Sequence, residues 1–142
     1  MGGAGRGVRQ APSAEPKGRE TSSLEGLKIL LVEDEFLVAL EVKAALSRMG
    51  CSIAGPFATL AMALEAAQSA PVGCAVLDIN LNGEMVYPLA GLLTARSIPF
   101  VFLTGYAAAD IPEHFRAFPR LPKPLDAGAL RNAFLDMRRS RP

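Results

Sequence analysis

Short, unbroken apolar runs recur along this chain, and stretches with helical spacing separate them. Leu27 to Val32 is the first run, broken only by Lys28; Ala75-Val76-Leu77 and Ile98 to Leu103 are purer still. Strands buried on both faces read this way, and strands that alternate with helices form a parallel sheet covered on both sides. That pattern predicts an α/β domain of (βα)5 order. The first strand ends at Glu33-Asp34-Glu35, and a helix from Phe36 follows, with Leu37, Leu40, Ala44 and Met49 near one face and Gly50 as its stop. Cys51 to Gly55 reads as a second strand, closed by Gly55-Pro56. Thr59 is placed to cap a second helix, with Leu60, Ala63, Leu64 and Ala67 inward.

Pro71 and Gly73 punctuate before the third strand, which ends at Asp78 and runs on through Ile79-Asn80 to a turn at Gly83. Val86, Leu89, Leu92 and Leu93 mark a third helix. Ile98 to Leu103 is a fourth strand, and Ala107 to Ala117 is at most a weak helix, because Asp110-Ile111-Pro112 breaks its start. Phe118 to Leu121 reads as the fifth strand. The last helix spans Leu125 to Arg138, with Leu130, Phe134 and Met137 inward.

Two regions follow from this division. Residues 1–24 are rich in Gly, Ala, Pro and Ser, lack any apolar period and read as a disordered arm. Residues 26–138 form the domain. A chain of 142 residues, half of them hydrophobic, suits one core. A formal charge of +1 gives no pull toward nucleic acid, and the closing Arg138-Arg139-Ser140-Arg141 is too small a patch to change that. No apolar run approaches the length of a membrane span, and the N-terminus lacks a signal peptide's apolar centre. Cys51 and Cys74 read as free thiols of a reducing compartment. The expectation is a cytoplasmic protein that neither enters membranes nor binds nucleic acid.

Chemistry gathers at the strand ends. Four of the five strands finish on a reactive side chain: Glu33 and Asp34, Asp78, Thr104 and Lys123. Parallel strands bring their carboxyl ends to one edge, where open α/β sheets bind ligands. Three carboxylates there repel unless a divalent cation joins them, and an all-oxygen set suits Mg²⁺ or Mn²⁺. A carboxylate, a hard cation, a hydroxyl and an ammonium together suit phosphoryl chemistry. Asp78 can attack phosphorus, the cation and Lys123 can neutralise the equatorial oxygens, and Thr104 can donate to the product. Glu35 reads as a residue that only caps or solvates the first helix, and His114 as surface decoration.

Leu31-Val32-Glu33-Asp34-Glu35, Leu77-Asp78-Ile79-Asn80, Leu103-Thr104-Gly105 and Leu121-Pro122-Lys123-Pro124, in this order at strand ends, resemble the motifs of the response regulator receiver domain of bacterial two-component signalling. The resemblance covers about residues 26–138 and implies a flavodoxin-like fold. It implies that Asp78 is the phosphoacceptor. Asp34 and Asp78 would bind Mg²⁺ directly, Glu33 would act largely through water, and the Asn80 backbone carbonyl would complete the set. Thr104 would be the switch hydroxyl, Lys123 the phosphate partner, and the Lys123-Pro124 bond would be cis. The implied donor is a histidine kinase or a histidine phosphotransfer protein, and the output a contact with a downstream protein that the sequence does not name.

Two positions depart from the usual pattern. Arg120 stands where receivers carry a fifth-strand aromatic switch residue. Phe102-Leu103-Thr104-Gly105-Tyr106 is similar to the subgroup named for a Phe-Ala-Thr-Gly-aromatic signature, with Leu103 in place of Ala and with Thr104, Gly105 and Tyr106 as its switch segment. Only one helix follows Lys123, so the expectation is a stand-alone receiver that performs no turnover beyond its own phosphorylation and dephosphorylation. A phosphorylation-independent adaptor is the competing reading, and the complete acidic set argues against it. A Mg²⁺-dependent phosphatase would need a general-acid carboxylate two residues after Asp78, where Asn80 stands.

Overall fold

The computed structural model describes residues 24–105 and 110–140. Five strands form one parallel sheet: β1 (Lys28–Val32), β2 (Ser52–Phe57), β3 (Cys74–Asp78), β4 (Phe100–Thr104) and β5 (Arg120–Pro122). Their order across the sheet is β2-β1-β3-β4-β5. The helices are α1 (Phe36–Arg48), α2 (Leu60–Ser69), α3 (Tyr87–Ala95) and α4 (Ala127–Ser140). This is the parallel, doubly covered sheet that the alternating runs predict, in the flavodoxin-like arrangement that the resemblance implies. The connection from β4 to β5 includes a 3₁₀ turn, Glu113–Phe115, directly after Pro112. Proline has no N–H to extend a regular helix backwards.

The two-residue period of the strands divides the core into two layers. Leu30 and Val32 of β1, Ala75 and Leu77 of β3, and Phe100 and Phe102 of β4 face α2 and α3. Ile29 and Leu31, Cys74 and Val76, and Val101 and Leu103 face α1 and α4, where Val42, Leu46, Leu130 and Phe134 meet them. Every residue of β3 and β4 is buried, and full burial of such a side chain contributes roughly 1.5–3 kcal/mol. Both cysteines are buried and neither forms a disulfide. Thr59 caps α2 as expected, its Oγ1 accepting from the Met62 amide at 3.2 Å.

Three expectations need correction. Leu24, placed in the arm, is fully buried and packs with the α1–α4 layer; the rest of the arm lies outside the described residues. The second strand does not stop at Gly55-Pro56 but runs on to Phe57 through a break in register between Leu30 and Val32. Gly55 makes that possible: its φ is +115°, and a Cβ there would sit 2.5 Å from the Leu31 carbonyl oxygen. Finally, α1 turns a different face inward. Ala39, Val42, Ala45 and Leu46 are buried with Met49 behind them, whereas Leu37 is 76% and Leu40 48% exposed, beside an exposed Phe36. Ala44 is exposed too. The helix is apolar on two sides, and the side with the smaller residues lets its backbone come close to the sheet.

A short hairpin absent from the expected pattern follows β3. Asn80–Leu81 pairs antiparallel with Glu84–Met85. Asn82 at φ 56° and Gly83 at φ 93° turn it, the conformation that favours Asn and Gly in tight hairpins.

Candidate functional site

Strand register brings the predicted residues together. Val32 pairs with Leu77, Asp78 with Leu103, and Thr104 with Pro122. Each step places Glu33, Asp78, Thr104 and Lys123 at or just past a strand's carboxyl end. Asp78, Thr104 and Lys123 border a cavity of about 640 Å³, with Asp34, Glu35, Asn80, Asn82 and Gly105 also on its wall. That volume is in the usual range for a small-ligand site. Glu33 lies beneath the wall at 2% exposure, with Asp78 at 5% and Thr104 at 4%.

Lys123 is the centre of the charge pattern. Its Nζ lies 2.7 Å from Glu35 Oε1, 3.3 Å from Glu33 Oε1 and 3.4 Å from Asp78 Oδ1. The backbone amide of Glu35 donates to Glu33 Oε2 at 3.0 Å, which ties the acidic loop to itself. The cis bond after Lys123, between it and Pro124, is present as the motif implies. Glu33 Oε1 is buried and accepts no hydrogen bond; the ammonium donates instead to the other oxygen of that carboxylate, Oε2, at 3.4 Å.

One ammonium faces four carboxyls, and the titrations reflect it. Burial, then hydrogen bonds with the Glu33 and Asp34 carboxyls and the charge of Glu33, push Asp78 up to about 8; Lys123 only partly opposes this. Burial acts to lower Lys123, but Glu35, Asp78 and Glu33 outweigh it and hold the lysine well above its ordinary value. Without a further cation the site is thus short of positive charge.

The donor set fits a hard divalent ion. Oxygens of Glu33, Glu35 and Asp78 lie within 4.8 Å of one another around the Lys123 ammonium, and Glu33 Oε1 is a buried oxygen with no hydrogen-bond partner. Carboxylate oxygens with room for water suit Mg²⁺ or Mn²⁺. Asp34 shares the cavity wall and reaches Asp78. The Asn80 side chain turns away from such a role, its Oδ1 accepting from the Gly83 amide at the hairpin tip.

Glu35 is the residue that sequence reasoning missed. It makes no side-chain capping bond to α1; its carboxylate grips Lys123 instead. The signal was its place: Glu35 stands two residues after Glu33 in the same acidic loop, just past the strand's carboxyl end. His114 is exposed against Phe115 and away from the cavity, as expected.

The region beside Thr104 is also built differently from the usual pattern. Arg120 sends Nη1 to the Arg116 carbonyl oxygen at 2.7 Å and leaves a recess of about 110 Å³ bordered by Thr104, Leu121 and Pro122. Aromatic rings come from elsewhere. Tyr87 of α3 stacks on Phe115 at 5.2 Å and meets Phe102 edge-on at 6.2 Å. Tyr106, the aromatic of the expected switch segment, lies outside the described residues.

No protein-family model matches the sequence. The Phyllosphere-induced regulator PhyR of Methylorubrum extorquens is 30% identical over 110 residues, which cover 75% of this chain and 39% of that protein. The chain therefore spans well under half the length of that curated relative. SdrG from Sphingomonas melonis Fr1, solved in solution, superposes with a TM-score of 0.72 at 35% identity, covering 79% of this chain and 96% of that one. SdrG from Pseudomonas melonis Fr1 in its BeF3-activated conformation gives 0.65 at 38% identity, covering 76% and 95%. A CheY-like receiver domain from Methylobacillus flagellatus, 22% identical, matches in fold with a TM-score of 0.70 over 80% of this chain and 99% of that one.

Proposed function

The chain belongs to the response regulator receiver domains, and from that premise we propose that it accepts a phosphoryl group from a phosphohistidine onto Asp78. The donor is a histidine kinase or a histidine phosphotransfer protein, and the output is an altered surface read by another protein. The observation that carries this reading is the Lys123 ammonium, held 3.4 Å from Asp78 Oδ1 at the mouth of a buried acidic cluster.

In the proposed reaction an Asp78 carboxylate oxygen attacks phosphorus as the bond to the donor imidazole nitrogen breaks, and the electron pair stays with the imidazole. Asp78 must be ionised to do so. Asp34 and Asp78 would hold Mg²⁺, with Glu33 acting through water and the Asn80 carbonyl as a further donor. When bound, Mg²⁺ supplies charge neutralisation for the phosphoryl oxygens and favours the ionised Asp78. Lys123 takes one phosphoryl oxygen and Thr104 donates its hydroxyl to another. The protein is on this reading a phosphoacceptor and not a turnover enzyme: Asn80, committed to the Gly83 amide, offers no general acid.

SdrG is described in a BeF3-activated conformation, which supports the use of beryllofluoride as the phosphoryl mimic here. The deciding experiment is phosphotransfer from a histidine kinase to the wild type and to Asp78→Asn. Label is expected on the wild type alone; label on the Asn variant at the wild-type rate overturns the assignment.

A further inference from the structure

The shortest contact of the Lys123 ammonium is not with a residue of the proposed phosphoryl site. Glu35 Oε1 and Lys123 Nζ are 2.7 Å apart, closer than the ammonium is to Glu33 or Asp78. The three carboxylates together can occupy all three donors of the ammonium. They differ in how easily each gives it up. The Glu33 side chain is 1% exposed, so losing the lysine leaves its carboxylate buried. Glu35 is 61% exposed and would be rehydrated where it stands. Its backbone cannot follow, because its amide is bonded to Glu33 Oε2 and α1 begins at the next residue. Only the Glu35 side chain can let go.

We propose that Glu35 is a positioning residue that holds Lys123 before phosphorylation and competes with the phosphoryl oxygens for its ammonium. This rests on the reading that Asp78 takes the phosphoryl group. A phosphoryl group on Asp78 presents new anionic oxygens beside Nζ, and the exposed Glu35 contact is the one that yields. The pair sets a threshold: it keeps the lysine ordered at the cavity mouth, and every phosphoryl group that arrives must displace it.

The test compares wild type, Glu35→Gln and Glu35→Asp. Beryllofluoride affinity at saturating Mg²⁺ is read by ¹⁹F NMR, and Mg²⁺ affinity by amide shifts. Glu35→Gln should bind beryllofluoride about two- to fivefold more tightly, the range spanned by ion pairs with one exposed partner. Glu35→Asp keeps a charge at the rim but is one methylene too short for the contact, and should behave like Gln. The gap from wild type should close as KCl is raised, because the Glu35 side is open to screening. In the metal-free protein, the paired Lys123 Hε resonances should be distinct in wild type and merge in both variants.

Equal beryllofluoride affinity in all three proteins overturns the proposal. So does an Asp variant that matches wild type, since rim charge alone would then explain the effect. A tenfold or greater loss of Mg²⁺ affinity in Glu35→Gln overturns it as well, by making Glu35 a metal ligand. If wild type itself fails to bind beryllofluoride, the Asp78 reading falls first and this one with it.

Discussion

The backbone amide of Lys123 donates a 3.1 Å hydrogen bond to the carbonyl oxygen of Thr104. The two residues proposed to hold the phosphoryl group are therefore tied through the main chain, independently of their side chains. Removing either side chain leaves the other in place, and so their roles can be separated.

Thr104→Ala should still take up label on Asp78, since Asp78 and Lys123 keep their geometry. The buried hydroxyl and methyl are lost, and stability should fall by about 1–2 kcal/mol. The response should fail: beryllofluoride-induced shifts at Phe102, Phe115 and Tyr87 should shrink in Thr104→Ala and persist in Thr104→Ser. Full-size shifts in the Ala variant would remove Thr104 from the switch.

Asp34→Ala should weaken Mg²⁺ binding by about tenfold or more, the usual scale for one charged ligand or its support, and slow phosphotransfer with it. The metal-free fold should lose nothing and gain slightly, because one of four crowded carboxyls is gone. An NMR titration with Mg²⁺ decides this; unchanged affinity excludes Asp34 as a ligand.

Asp78 gives the metal-free protein a defined pH dependence. Its folded-state value of about 8 lies above the ordinary 3.8, so the folded state binds the proton more tightly than the unfolded one. Its contribution to stability is full below about pH 4 and is lost as pH rises through about 8. Asp78→Asn cannot lose that proton. Its stability advantage over wild type should grow between about pH 4 and about pH 8, reaching of order 1–3 kcal/mol, the scale of one uncompensated buried group. Mg²⁺ should reverse the trend in wild type alone. Thermal melts with and without Mg²⁺ would show it, and parallel curves for the two proteins would contradict it.

The segment between β4 and β5 should carry the signal. Arg120 bonds the Arg116 carbonyl and cannot enter an apolar space cheaply, whereas Phe115 already stacks on Tyr87 beside Phe102. A pull on Thr104 reaches these rings through β4. Amide hydrogen exchange should show residues 110–117 gaining protection on addition of beryllofluoride, and equal protection in both states would refute this route.

Much of the site was legible because it depends on local pattern. Asp78, Thr104 and Lys123 each end a short apolar run, and parallel pairing does the rest. The Thr59 cap was likewise signalled by its own neighbours, whereas the cis Lys123-Pro124 bond was implied by the family resemblance. What escaped was whatever needed a distant partner. The partner of Glu35 is Lys123, 88 positions along the chain, so the glutamate looked like a helix start. The inner face of α1 had two apolar solutions, and the sheet selected the one with Ala39 and Ala45. Nothing near Arg120 announced that Tyr87 and Phe115 would supply the aromatic rings beside Phe102.

The two outermost strands share a residue type. β2 contains Pro56 and β5 contains Pro122, and these strands bound the sheet. A proline offers no N–H to an incoming strand, and an edge interrupted in this way resists growth by addition of further chains. β5 is also only three residues long. The sheet is therefore a poor template at both margins for strand exchange between copies, even when the protein is concentrated. A protein that read the proposed phosphorylated state would grip side chains on the helices and loops, because the margins of the sheet give it little backbone to hold.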